Sequence, residues 1–313
     1  MRAKRWVATG FDGPDDLEFV DHDVSMPGPG EVTIEVRAAG VNPADLKHVV
    51  RDPDPARLPI PLGYEVAGIV TALGPDTELA SGGGAIGDEV LAFRVSGGYS
   101  TALTVPADKV FAKPSTLDFD AAAGLLLTGC TAADMLRVGV VERDETVVLH
   151  GASGAVGVAF LQFARLRGIR VIGTASAQNL DRVREFGGIA VTYGPDVVDR
   201  IRVAAAPFDI DAAFDAVGTD EAVDACLELV SDRSRIVTIA APTRAHADGF
   251  VAIGGNQPDS LQFRDSVRAN LIRLAGSGDL QVPIARTFAL AQAPEALRLV
   301  VSGHAGGKVV LTG

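Results

Sequence analysis

Cysteine is scarce: Cys130 and Cys226 are the only two in 313 residues. That excludes a disulfide framework and a four-cysteine structural zinc site, and it fits a reducing compartment. Basic residues are short too, with 28 Lys plus Arg against 40 Asp plus Glu, a formal charge of −12. A chain this acidic, with no basic cluster along it, has no footprint for nucleic acid or an anionic membrane surface. Long apolar runs are also lacking. The longest, Ala121 to Leu127, falls far short of the roughly 20 residues a membrane helix needs. The basic N-terminus has no apolar segment behind it to make a signal peptide. These absences predict a soluble, cytoplasmic protein with neither nucleic-acid nor membrane partners.

What is present is ordinary globular composition, 47% hydrophobic and 22% charged, over a length that suits about two domains. The first hundred residues read as β-rich. Glu31 to Val36 alternates polar and apolar positions, and Val66–Val70, Glu89–Phe93 and Gly97–Val105 are short apolar runs between glycine and proline turns. This spacing predicts a compact barrel or sandwich. From residue 118 the texture changes. A helix over 118–138, with Asp118 or Asp120 as N-cap, leads into alternating strands and helices: Thr146–Leu149, Val156–Arg167, Arg170–Thr174, Asn179–Phe186. Further strands are expected at Ala190–Thr192, Ile210–Phe214 and Arg235–Ala240, so the segment predicts a parallel, doubly wound α/β sheet. The last stretch carries one amphipathic helix over Ser260–Ser277, a second over Pro294–Ser302 and a strand Lys308–Leu311 that needs a partner sheet.

The most informative segment runs from Val147 to Val158. Gly151, Gly154 and Gly157 stand three apart between a strand and an apolar helix. In that setting glycines permit a tight turn, and Ser153, Gly154, Ala155 and Val156 bring backbone N–H groups at a helix N-terminus towards a pyrophosphate. The alternative is a turn that only packs helix on strand. An NAD site usually places Asp or Glu at the end of the following strand, to hold the ribose 2′-OH. Here that strand runs into Gly173 to Asn179 with no carboxylate before Asp181. Ser176, Asn179 and Arg182 suit a 2′-phosphate instead, which predicts NADPH. Ser176 and Asn179 also suit capping of the helix from Leu180, and both roles can hold at once.

Gly40-Val-Asn-Pro-Ala-Asp45, Gly63-Tyr-Glu-Val-Ala-Gly68, Gly97-Gly-Tyr-Ser100, the glycine turn and Gly307-Lys-Val-Val-Leu311 occur in order along nearly the whole chain. This set resembles the medium-chain dehydrogenase/reductase superfamily, in its zinc-free quinone oxidoreductase branch. The resemblance implies a GroES-like β-rich substrate domain over 1–118 and a Rossmann NADP-binding domain inserted over 119–258. It also implies a return to the first domain over 259–313. Zinc-dependent members carry Cys where this chain has Asn42 and His where it has Tyr64, so no metal is expected.

The resemblance places Asn42 near the nicotinamide or the substrate carbonyl, with Asp45 supporting it. Asn42 to Asp45 also reads as a plain Asx turn or helix cap. Tyr64 is either a proton donor or a packed aromatic. Thr131, Tyr193, Val217, Ala241 and Gly254 match cofactor-contacting positions, and Lys308 either reaches the cofactor or is a strand-edge charge. A tyrosine often present after the Asn-Pro-x-Asp segment is replaced here by Val49 to Pro55. The expected activity is hydride transfer from NADPH to a small-molecule electron acceptor, a quinone or other conjugated carbonyl. Rivals are an enoyl or polyketide-type reductase and a catalytically silent NADPH-binding sensor. Aromatics, at 5%, give no sign of a flat stacking pocket for large quinones. The resemblance further implies a homodimer.

Overall fold

The computed structural model describes residues 1–51 and 53–313. The chain divides into two compact units, one of residues 1–127 with 272–313 and one of residues 128–271. The divisions fall at 127/128 and 271/272, later in the chain than the expected 118/119 and 258/259. Both fall inside helices rather than in linkers.

The first unit begins with β1 (Arg2–Ala8), β2 (Leu17–Asp23), β3 (Glu31–Val41), α1 (Pro43–Val50) and β4 (Ile60–Pro61). It continues with β5 (Glu65–Leu73), β6 (Glu89–Phe93), β7 (Ala102–Pro106) and β8 (Val110–Ala112). The alternation read at Glu31–Val36 puts Val32, Ile34 and Val36 in the core, and the strand continues to Val41 because Ala38, Ala39 and Val41 are buried as well. The helix predicted from residue 118 is α2 (Phe119–Val138), capped by the Asp118 carboxylate, which accepts from Ala121 N–H at 2.7 Å. By length and composition α2 could cross a membrane, but most of it is buried inside the protein, as suits a core helix. Among the described residues no other helix is long and apolar enough to do so.

The second unit follows the α/β order: β9 (Thr146–His150), α3 (Ala155–Arg167), β10 (Arg170–Ala175), α4 (Leu180–Glu185), β11 (Ile189–Thr192), α5 (Val197–Ala205) and β12 (Ala212–Asp215). Then come α6 (Asp220–Leu229), β13 (Ile236–Thr238), α7 (Pro242–Asp248), β14 (Val251–Ala252), α8 (Pro258–Ser266) and α9 (Arg268–Gly276). Its six parallel strands lie in the order β11-β10-β9-β12-β13-β14, the doubly wound Rossmann order. β13 is shorter than expected, because the Thr238 hydroxyl accepts from Ala240 and Ala241 N–H and turns the chain out of the sheet. The single helix expected over Ser260–Ser277 is two helices meeting at Val267. Ser266 Oγ donates to Phe263 O at 2.7 Å, the carbonyl that Val267 N–H also uses, and such back-bonding bends a helix.

The chain then returns to the first unit through β15 (Ile284–Ala289), α10 (Ala293–Val301) and β16 (Lys308–Thr312). β16 lies between β15 and β3 in a seven-stranded sheet, antiparallel to β3 with Val309 opposite Val41. The expected terminal strand thus finds its sheet. The α/β fold is a Rossmann unit inserted within a GroES-like β-rich unit.

Candidate active site

In the Rossmann unit the predicted contacts other than Thr131 follow the carboxyl ends of the parallel strands, where open α/β sheets bind ligands. Gly151 follows β9 with φ +81, a left-handed conformation glycine adopts without penalty. Gly154 is the N-cap of α3 and brings no side-chain cap, so the first-turn N–H groups of Ala155 and Val156 are not satisfied by a capping side chain. Ser153, in the turn, is mostly buried. A Cβ on Gly157 would lie 2.3 Å from Gly151 O, so this glycine sets how closely α3 approaches the turn.

Ser176 follows β10, and Tyr193 follows the neighbouring β11, with Tyr193 N–H donating to Ala175 O at 3.3 Å. Neither Ser176 nor Asn179 caps a helix through its side chain; Asn179 Nδ2 donates to Ser176 Oγ at 3.0 Å instead. Tyr193 is 57% exposed beside them. Asp181 turns to Arg184 at 2.6 Å, and Arg182 is half-buried one helical turn on from Asn179. Asp215 ends β12 and accepts from Val217 and Gly218 N–H and from the Thr238 hydroxyl, fixing the turns that carry Val217 and Ala241. Gly254 follows β14, and Thr131 is buried within α2.

In the GroES-like unit a buried polar cluster joins α1, β5, β16 and Tyr99. Lys308 Nζ donates to Glu65 Oε1 at 2.5 Å and to Asn42 Oδ1 at 2.7 Å, with both side chains of the ion pair 2% exposed. Lys308 is therefore a buried cation and not a strand-edge charge. Asn42 Nδ2 gives its two protons to Glu65 Oε1 (2.9 Å) and Gly40 O (3.3 Å), while Leu127 N–H donates to Glu65 Oε2 (3.0 Å). Both N–H protons of the Asn42 amide are thus used within the cluster. Asn42 occupies the N-cap position of α1, but the capping is done by Asp45, whose Oδ2 accepts from Asn42 N–H and from Tyr99 O–H, each at 2.8 Å.

Asp45 Oδ1 is buried without a partner. Burial, outweighing the Tyr99 and Asn42 hydrogen bonds, pushes this carboxyl from 3.8 up to about 7, and it pushes the Tyr99 phenol well above its ordinary value. A carboxyl whose folded value is raised binds a proton more tightly folded than unfolded. Its stabilisation is complete below about pH 4 and is lost as pH rises through about 7. Asp45→Asn keeps an acceptor for Tyr99 and Asn42 and removes the titration. The variant is expected to gain on wild type as pH rises from 5 to 8, by on the order of 3 kcal/mol. Denaturant melts at both pH values test this, and a constant difference would refute it.

Tyr64 stands apart from the cluster. It is half-buried and stacks on His48, ring centroids 4.5 Å apart at 22°. Burial, then Asp45, raises its phenol. The segment Val49 to Pro55 includes Asp52, which lies outside the described residues. Glu65 and Tyr99 were not singled out from the sequence, although a lone glutamate opening the apolar strand Glu65–Leu73 is the signal that marks one of them. Among the described residues no three His, Cys, Asp or Glu side chains converge as metal ligands, and the Lys308 ammonium lies against the Asn42 oxygen.

A GroES-like unit interrupted in sequence by a Rossmann unit, with the glycine turn at that unit's first strand, defines the medium-chain dehydrogenase/reductase class. Residues 28–115 match the alcohol dehydrogenase GroES-like domain and residues 190–311 match the zinc-binding dehydrogenase family. A quinone oxidoreductase of Sus scrofa is 30% identical over 265 residues, covering 82% of this chain and 74% of that protein. One of Pseudomonas aeruginosa is 28% identical over 99% of each chain. A mycobacterial protein solved with NADPH is 28% identical, with a TM-score of 0.85 over 99% of this chain and 100% of that one. The chain belongs to the quinone oxidoreductase family of this superfamily.

Proposed function

We propose that this protein is a metal-independent reductase that transfers hydride to a quinone or another conjugated carbonyl acceptor. The cofactor is NADPH, which supplies the hydride when bound. The observation that carries the reading is the end of β10. Ser176 and Asn179 form a hydrogen-bonded pair that caps nothing, Tyr193 lies at the end of the neighbouring strand, and the first carboxylate after them in the chain, Asp181, is turned to Arg184. Hydroxyl, amide and guanidinium can hold a 2′-phosphate, whereas a carboxylate there would repel it. The uncapped first turn of α3 suits the pyrophosphate. Metal independence is supported by Asn42 and Tyr64 at the two ligand positions. The positive charge in the buried cluster comes from Lys308. The outer strand β14, at the edge of its sheet, supports homodimerisation by sheet continuation.

Steady-state oxidation of NADPH and NADH against 1,4-benzoquinone, an enone and an acyl thioester tests the reading. Expected are turnover of at least one acceptor, a preference for NADPH of about tenfold or more, and loss of that preference in Arg182→Ala. Equal use of NADH, or stoichiometric zinc that survives chelation, would overturn it. Turnover of the thioester alone would make the protein an enoyl reductase. NADPH binding without any turnover would make it a sensor.

A further inference from the structure

Arg264, in α8, carries more hydrogen-bonding capacity than the protein uses. Its side chain is 10% exposed, and its Nε donates to Asp134 Oδ2 at 3.0 Å. Asp134, itself fully buried, receives Arg137 on its other oxygen, through Nε at 3.0 Å and Nη2 at 2.7 Å. One carboxylate thus faces two guanidinium groups, Arg264 mostly buried and Arg137 35% exposed. The four N–H protons on Arg264 Nη1 and Nη2 donate to none of the described residues. Nη1 lies where a Cβ on Gly255 would come within 3.1 Å of it, so the fork stands beside the Gly254–Gly255 turn that follows β14. That is the carboxyl end of the sheet, the end that also carries the glycine turn.

The guanidinium is held by one edge on a buried carboxylate while its two Nη atoms stay open to solvent, so a ligand that displaces water there meets preorganised N–H donors. Its planar fork matches a carboxylate in two parallel hydrogen bonds. We propose that Arg264 is a specificity-determining residue that receives a carboxylate on the electron acceptor, so that the preferred substrates are conjugated carbonyl compounds bearing an acid group. This inference rests on the reductase reading and extends it to a substrate class. Asp134 and Arg137 are positioning residues, because they aim the fork without reaching the ligand.

The test uses wild type, Arg264→Gln and Arg264→Lys with two quinones that differ by one carboxylate. Wild type is expected to favour the acid-bearing quinone, and the ratio of the two kcat/KM values is expected to fall about 100-fold in Arg264→Gln. The lysine variant keeps the charge without the fork and should recover part of the ratio. Benzoate should inhibit wild type competitively against the acceptor, a measurement that needs no variant to fold. NADPH titration should give dissociation constants within about twofold across the three proteins. An unchanged ratio with intact melting temperatures, or no competition by benzoate, overturns the inference. So does a large loss of NADPH affinity in Arg264→Gln, which would assign the fork to a cofactor phosphate. Absence of turnover by wild type with every acceptor would instead be the failure of the reductase reading.

Discussion

Gly157→Ala is expected to abolish useful NADPH binding and to lower the melting temperature of the protein. The added Cβ would lie 2.3 Å from Gly151 O, 2.6 Å from Ala152 O and 2.7 Å from Ala152 C. All three are backbone atoms of the turn itself, so no side chain can swing away to relieve the contact. Helix α3 must back off, and the N–H groups of its first turn move with it. Alanine favours a helix over glycine by about 1 kcal/mol, but overpacking against backbone costs about 1–3 kcal/mol or more, so the clash wins. At about 2–4 °C per kcal/mol for units of this size, the melt should fall by several degrees. NADPH affinity should fall about 100-fold. Gly154→Ala is the control: φ is −72 there and the nearest atom lies at 3.3 Å, so the fold should tolerate it. Fluorescence titration and thermal melts read both effects. Binding within threefold and melting within a degree of wild type for Gly157→Ala would contradict the geometry.

Lys308→Met is expected to destabilise the GroES-like unit by about 3–5 kcal/mol, because it strands the Glu65 carboxylate in the core. Asn42 Nδ2 and Leu127 N–H still donate to that carboxylate but do not neutralise it. The pair Lys308→Met with Glu65→Gln removes both charges and should recover a large part of the lost stability. Urea titration of the two variants decides it. A double variant no more stable than the single would mean that the ion pair is not what holds the cluster.

Much of the fold was legible in the sequence because the two units obey different periods. Alternation at Glu31–Val36 and the β/α rhythm after Thr146 report burial on one face and on both faces of a sheet, and each is a local pattern. The glycine turn was legible for the same reason, although its spacing does not single out Gly157. Spacing shows that glycines are present; only three-dimensional closeness shows which of them has no room. The buried cluster was half legible. Asn42 and Asp45 lie three residues apart on one helix start, but Lys308 meets them across 266 positions of chain. Arg264 resembled any helical surface arginine until Asp134, 130 residues earlier, was brought against it. The break at Val267 was missed because it comes from one Ser266 hydroxyl, which leaves the hydrophobic periodicity unchanged.

The position of β16 between β15 and β3 has a consequence for the order in which the protein is made. Every strand of the Rossmann sheet has been synthesised by Ala252, and that unit is complete by Leu271. The GroES-like sheet, begun at Glu31, waits for Lys308–Thr312 to fill the gap beside β3. During synthesis the later-starting unit is therefore the first able to fold, while Asn42 and Glu65 stay without their counter-charge until the last strand of the sheet emerges.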